Sequence, residues 1–328
     1  ASRICRPWPA ARERLSDGDR AWLRRVARRT WAYFETFAGP EDNWIAPDNC
    51  QVDPDHRVAH RSSPTNAGMQ LLASMTALDL GHAGLRDLAQ RTEYALDALE
   101  RVERHDGHLV NWFDTRTLES LEPRYVSTVD SGNLAVALVT LREGLVEMAD
   151  GPALSPRLWD GLVDTLGVLQ DAAQSLPLES ARAVLARIGA LVDTAARARG
   201  QPARWREALL RIRDTDLPDL SQAILDAHDA AEGSDPAELH FWLERSRHHV
   251  ASFLRDLDVL CPWAAVDGQP APADGAGAPL SPDTPLSPGA FGAHDAPWSP
   301  DADLSSDMPL SPDAPPGPAG DPPRTPAG

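Results

Sequence analysis

The sequence predicts an all-α body followed by an unstructured tail. Three observations carry this. Apolar residues recur at helical spacing in one segment after another between residues 15 and 261. Ser-x-x-Asp or Ser-Pro opens some of these segments, and Gly or Gly-Pro closes some of them. Beyond Trp263 the composition changes: residues 264–328 hold 16 of the 30 prolines, with nine aspartates and one arginine.

Ser16-x-x-Asp19 predicts the start of a first helix, with Leu23, Val26, Trp31, Phe34 and Phe37 as its apolar stripe. On this reading Trp22 and Trp31 are core, and Gly39-Pro40 ends the helix. Ser63-Pro64 predicts an N-cap followed by Pro at the first helical position, and Leu71, Leu72, Met75 and Leu78 continue to Gly81. Leu85, Leu88, Thr92, Ala95, Leu99 and Val102 form the next stripe. Leu134, Leu138, Leu141, Leu145 and Met148 form another. From Ser155 the helices become plain Ala/Leu/Arg bundle sequence, through Leu162, Ile188, Trp205 and Trp242 to Cys261. His248-His249 are expected on the surface, and His105 and His108 at a helix end, capping its last carbonyls. The expected organisation is a leader at 1–19, a first helical domain at 20–150, a helical segment at 151–263 and a disordered tail at 264–328. The tail repeats Pro-Leu-Ser-Pro three times, and its prolines exclude helix. It reads as polyproline II in part, with docking to an SH3-like partner as the sharper alternative.

The net charge of −18, with every basic residue an arginine, argues against nucleic acid and anionic membrane surfaces as partners. No apolar run reaches the roughly 18–20 residues that span a bilayer, so no direct membrane insertion is expected. Nor does a signal peptide stand at the start, and an opening Ala in place of Met fits a piece of a longer chain. Three cysteines fit a reducing, cytoplasmic setting for the isolated chain. No cofactor is expected, since no P-loop, Gly-x-Gly-x-x-Gly or Gly-x-Ser-x-Gly occurs. Asp53, Asp55, His56 and His60 meet no metal-ligand spacing rule, so no metal is expected either.

Two connections carry more chemistry than loops need. The first runs from Gly39 to Asn66 and holds Trp44, Asp48, Asn49, His60 and Arg61. The second runs from Gly107 to Asn133 and holds Asn111, Trp112, Asp114, Asp130 and Asn133. It reads as a short hairpin turning near Thr117–Leu121. Helical hairpins in a ring bring alternate connections to one end. Carbohydrate sites use such ends, where aromatic faces stack on sugar C–H surfaces and polar side chains meet hydroxyls. Trp44, Trp112, Asp114, Asp130, Asn133, His60 and Arg61 are residues of that kind, and Asp48 and Asn49 extend the set. Asp114 and Asp130 are the acid/base candidates, because glycoside chemistry needs two carboxylates, one with a raised pKa. The competing reading makes Asp114 the organiser of the hairpin and Asp130 the cap of the following helix. Simple core burial competes with the platform role of Trp44 and Trp112.

Several blocks resemble the bacterial cyclic β-1,2-glucan synthases, often labelled glycosyltransferase family 36. They are Arg28–Phe37, Glu41–Asn49, Ala59–Asn66, Gly107-His108 with Asn111–Arg116, and Arg124–Leu134. The resemblance covers residues 15–150. It implies a large inner-membrane parent with a nucleotide-sugar domain, a middle domain that closes the glucan by transglycosylation, and a phosphorylase-like domain. The matching part resembles the start of that middle domain, a partial (α/α)₆ barrel of the six-hairpin glycosidase type. In the family the two catalytic Glu lie in the second half of the barrel, which has no counterpart here. The expected function is therefore β-glucan binding within a synthase fragment, with a β-1,2-glucan and the rest of the parent synthase as partners. The alternative is a non-catalytic carbohydrate-binding or helical scaffold module.

Overall fold

The computed structural model describes residues 15–229 and 237–262. The expected tail and most of the expected leader lie outside the described residues. The described chain is all-α, with three two-residue strand pairings confined to the connections.

Helix α1 (Asp17–Phe37) starts where Ser16 Oγ accepts the Asp19 N–H at 3.1 Å. Helix α2 (Pro64–Leu80) has Ser63 as N-cap and Pro at its first position, as the sequence predicts. Gly81, at φ 78°, closes it in the left-handed region that glycine enters without strain. Helix α3 (Leu85–Arg101) follows at once, and α4 (Thr128–Ala149) lies alongside α2. Gly68 of α2 allows that approach, since a Cβ there would stand 3.0 Å from Ala137 Cβ. Ile45, Leu71, Leu99, Phe113 and Leu141 close a small core among α2, α3, α4 and the connections.

A second core lies among α5 (Arg157–Ala173), α6 (Leu178–Arg199), α7 (Trp205–Arg211), α8 (Leu217–Asp229) and α9 (Ala237–Leu260), with a π turn, Ile212–Asp216, between α7 and α8. Trp159, Trp205 and Phe253 meet edge to face at its centre, with centroids 5.3–6.3 Å apart.

Helix α1 lies on α5, and its inward face is not the expected one. Trp22 is 57% exposed, and Leu23 and Val26 are exposed with it. Arginines take the inward positions, because α5 presents polar partners there. Arg24 pairs with Asp164 at 2.7 Å, Arg25 with Asp171 at 3.1 Å, and Arg28 Nε donates to Thr165 at 2.8 Å. His82, after α2, completes the group with its Nε2 2.9 Å from Asp164 Oδ2. Trp31 is buried as expected.

The histidines differ too. His249 is buried, with Nε2 2.8 Å from the Leu158 carbonyl, and burial pushes its pKa down to about 4. Helix α9 packs against α3, α5, α7 and α8, so adjacent positions both face protein. His105 and His108 stand on a hairpin, β4 (Arg104–His105) with β5 (His108–Leu109), rather than capping α3. Asp106 and Gly107 make its turn with φ of 50° and 84°.

Asp256 of α9 caps α3 from a distance, its Oδ2 accepting the Leu85 N–H at 2.9 Å. Gly84 leaves room for it, as a Cβ there would stand 2.2 Å from that oxygen. Burial pushes the carboxyl up to about 6, against the Leu85 hydrogen bond and Arg86. A raised carboxyl pKa gives stability that is complete below the unfolded value near 4 and is lost as pH rises through 6. Asp256→Asn keeps an acceptor without the buried charge. It is expected to gain about 1–2 kcal/mol at pH 7.5 and almost nothing at pH 4. Urea unfolding at the two pH values measures this.

Candidate functional site

The N-terminal turns of α2 and α4 stand side by side, and both polar connections arrive there. Ser63 caps α2, with Oγ accepting the Asn66 N–H at 3.3 Å. Ser127 caps α4, with Oγ accepting the Asp130 N–H at 3.1 Å. The cap of α4 is thus Ser127, and Asp130 is the third helical residue. Asn133 Nδ2 donates to Thr65 Oγ1 at 3.0 Å and ties the two turns together.

The connections themselves are joined by strand pairing. Strand β3 (Arg61–Ser62) runs antiparallel to β6 (Phe113–Asp114), with Arg61 opposite Asp114 and Ser62 opposite Phe113. The Thr115 N–H donates to the His60 carbonyl at 3.1 Å, and Asn43 Nδ2 donates to the Thr115 and Arg116 carbonyls at 2.9 and 2.8 Å. Beneath them the buried Asp42 carboxylate receives the Thr115 hydroxyl and lies 2.8 Å from His60 Nδ1. Crossings of 40–66 and 107–133 therefore meet on one side of the helices.

Asp48 is the hub of the joined surface. Its Oδ2 accepts from Arg61 Nη2 at 3.1 Å and Asn49 Nδ2 at 3.0 Å, and its Oδ1 accepts from Asn66 Nδ2 at 2.9 Å. The half-exposed Arg61 guanidinium lies over the Trp112 ring, 4.8 Å from its centroid. Trp112 takes φ 60°. Its neighbour Asn111 is buried and anchors the chain, donating from N to the Tyr125 carbonyl at 2.8 Å and from Nδ2 to Tyr125 Oη at 3.0 Å.

The two acid/base candidates have structural tasks. Asp114 Oδ1 accepts the N–H groups of Arg116 and Thr117 at 2.8 and 3.0 Å, which pins the turn between Phe113 and its bridge partner Ser120. Burial would raise the Asp130 carboxyl, but hydrogen bonds from Ser127, Thr65 and Ser63 outweigh it and hold the pKa below the usual range. A carboxylate so held is stabilised in its ionised, hydrogen-bond-accepting form.

Trp44 turns onto α3, with its ring 5.0 Å from Tyr94 and the Arg91 guanidinium 5.9 Å from its centroid. Asp48, Asn49, Arg61, Trp112, Asp130 and Asn133 are thus linked around the two helix starts. His60, Asn111 and Asp114 hold the backbone beneath, and Trp44 braces the first connection from the side.

Sequence reasoning missed the residues that position Asp48. Gln70 is buried in α2, accepts the Ala46 N–H at 2.6 Å and donates to the Trp44 carbonyl at 2.6 Å. Tyr33 Oη donates to the Pro47 carbonyl at 2.6 Å. Burial, then the charges of Cys50, Asp48 and Asp42, push its pKa to about 12, so it remains a donor. The signal for Gln70 is a polar side chain beside Leu71 on the inward side of an apolar helix. Thr65 and Asn66 carry no signal beyond standing after the Ser-Pro cap.

A small pair (β1, Cys50–Gln51; β2, Arg57–Val58) flanks the hub, and there Cys50 Sγ lies 3.4 Å from His56 Nε2. Burial raises the Cys50 thiol pKa, the opposite of activation. Among the described residues no group of three or more His, Cys, Asp or Glu could hold a metal ion. No described helix is long and apolar enough to cross a membrane.

No family model matches the chain. Over 156 residues it is 42% identical to cyclic beta-(1,2)-glucan synthase NdvB of Rhizobium meliloti (strain 1021). That match takes in 47% of this chain and 6% of the curated protein, so the chain spans a small part of its relative's length. Over about half its length, the chain is a relative of a cyclic beta-(1,2)-glucan synthase.

Proposed function

We propose that the chain is a portion of a cyclic β-1,2-glucan synthase and that the surface around Asp48, Arg61 and Trp112 holds a β-1,2-glucan segment. Residues 20–150 would form the first hairpins of an (α/α)₆-like carbohydrate domain, followed by the helical segment 151–263. The observation that carries this reading is the β3–β6 pairing, which unites the two polar connections at the starts of α2 and α4. Neutral sugars need paired donors and acceptors with an aromatic surface close by, and Arg61, Asn66, Asp48, Asp130 and Trp112 supply them. The hydrogen bonds that keep Asp130 ionised and the turn held by Asp114 favour binding over proton donation. The acid catalyst for glycosyl transfer would then come from elsewhere in a parent synthase.

Titration of the full chain with linear β-1,2-gluco-oligosaccharides, followed by calorimetry, tests the proposal. Binding is expected in the micromolar to millimolar range. Trp112→Ala is expected to weaken it about tenfold or more, which is ~1.4 kcal/mol. Trp22→Ala, at an exposed tryptophan on α1, is expected to leave it unchanged. Equal effects of the two substitutions, or no heat at millimolar ligand, would remove the assignment.

A further inference from the structure

Helix α4 is apolar on two opposite faces. One face, with Ala137 and Leu141, is buried, and α4 packs against α2. On the other, Val129, Val136, Val139 and Val146 are 70%, 67%, 62% and 54% exposed. Together with Gly132 and Glu143 these positions are spaced three, four, three, four and three residues apart. That is a heptad seam of the kind that closes against another helix. Four β-branched apolar side chains along most of a 22-residue helix exceed the scattered singles of an ordinary surface.

We propose that this seam pairs with its own copy, as an antiparallel, two-fold α4–α4 contact in a homodimer. The seam is palindromic. A two-fold axis passing between Val136 and Val139 sets Val129 against Val146 of the second copy, Val136 against Val139, and Gly132 against Glu143. A self-complementary patch is what an isologous dimer requires. The single charge on the seam also has a place. Gly132 has nothing within 4 Å of where a Cβ would stand, so it leaves room for the incoming carboxylate. A parallel pairing would set Glu143 on its own copy and is disfavoured by like-charge repulsion. Asp130 and Asn133 bond to groups at the start of α2, off this seam, so the inference stands apart from the glucan reading.

Sedimentation velocity of the full chain over a micromolar concentration range tests the pairing. A reversible dimer is expected. Val136→Arg and Val139→Arg, next to the axis, are expected to weaken it at least about tenfold while far-ultraviolet circular dichroism stays unchanged. Val52→Arg, at an exposed valine on the first connection, is expected to leave it intact. A second measurement fixes the direction of pairing. With Cys5, Cys50 and Cys261 replaced by serine, a Val129→Cys copy mixed with a Val146→Cys copy should form a mixed disulfide in preference to either self-disulfide. A monomer throughout the range, a dimer indifferent to both arginines, or preferential self-disulfides would each overturn the proposal. A monomer would leave the seam to a helix from another part of a longer polypeptide.

Discussion

Replacing Glu35 by Gln is expected to lower the stability of the chain by about 3–5 kcal/mol. The Glu35 side chain is buried between two guanidinium groups. Arg28 Nη2 lies 3.0 Å from Oε2, and Arg245 Nη1 lies 3.8 Å from Oε1. Trp242 covers Arg28, and Phe241 covers Arg245, with centroids 5.2 and 4.7 Å from the cations. Burial alone would raise the Glu35 carboxyl. Arg28 and Arg245, then His248 and Arg91, overcome it and hold the pKa at about 2. Gln fills the same space and still accepts a hydrogen bond, but it leaves buried cations without the carboxylate between them. Breaking one side of a buried pair costs far more than the pair itself is worth. The same group makes a pH prediction. A carboxyl depressed from its unfolded value near 4.5 contributes fully above that value, and the contribution of roughly 3 kcal/mol fades as pH falls toward 2. Acid unfolding followed between pH 5 and pH 2 should therefore be steeper in the parent chain than in Glu35→Gln.

That site also marks where sequence periodicity stops being informative. The caps at Ser16 and Ser63 and the closing Gly81 are local devices, and local patterns reveal them. Which face of α1 turns inward depends on α5, some 140 residues away, whose Asp164, Thr165 and Asp171 accept arginines. A hydrophobicity count scores those arginines as surface and turns Trp22 and Val26 inward. His248-His249 misled for the same reason, since adjacent helical positions lie on different faces and imply exposure only when one of those faces is free. Helix α4 adds a third case. One apolar stripe was legible along it, but a second stripe opposite cancels the contrast on which amphipathic reading depends.

The candidate site was legible by chemistry and hidden in its connectivity. Asp48, Arg61 and Trp112 stand out as residue types that loops do not require. Their meeting depends on β3 and β6, two residues each, and strands that short leave no alternating pattern to find. Residues that act through the backbone, such as Gln70 and Tyr33, look like ordinary helix positions until the loop they hold is placed against them.

Gly161→Ala adds one methyl group and is expected to cost about 3 kcal/mol, at the upper end of ordinary overpacking. The turn that ends α2 lies directly on the first turns of α5. A Cβ on Gly161 would stand 1.8 Å from the Gly81 carbonyl oxygen, and a Cβ on Gly81 would stand equally close, 1.8 Å, to the Arg157 carbonyl oxygen. Both obstacles are backbone, so no side chain can swing aside, and relief requires the two helices to part. Parting them would also pull on His82 and Arg24, both held on Asp164, and on His249, held on the Leu158 carbonyl. Helix propensity alone predicts the opposite sign, since Ala is favoured over Gly in a helix interior by about 1 kcal/mol. Gly189 supplies the contrast within the same chain. It is exposed on α6 with nothing within 4 Å of its Cβ position, and Gly189→Ala is expected to gain about 0.5–1 kcal/mol. Thermal unfolding should separate the two by opposite shifts, with Gly161→Ala lower by roughly 6–12 °C. A stabilised Gly161→Ala would mean that α2 and α5 do not meet through their backbones, and the α2–α5 joint would then need another account.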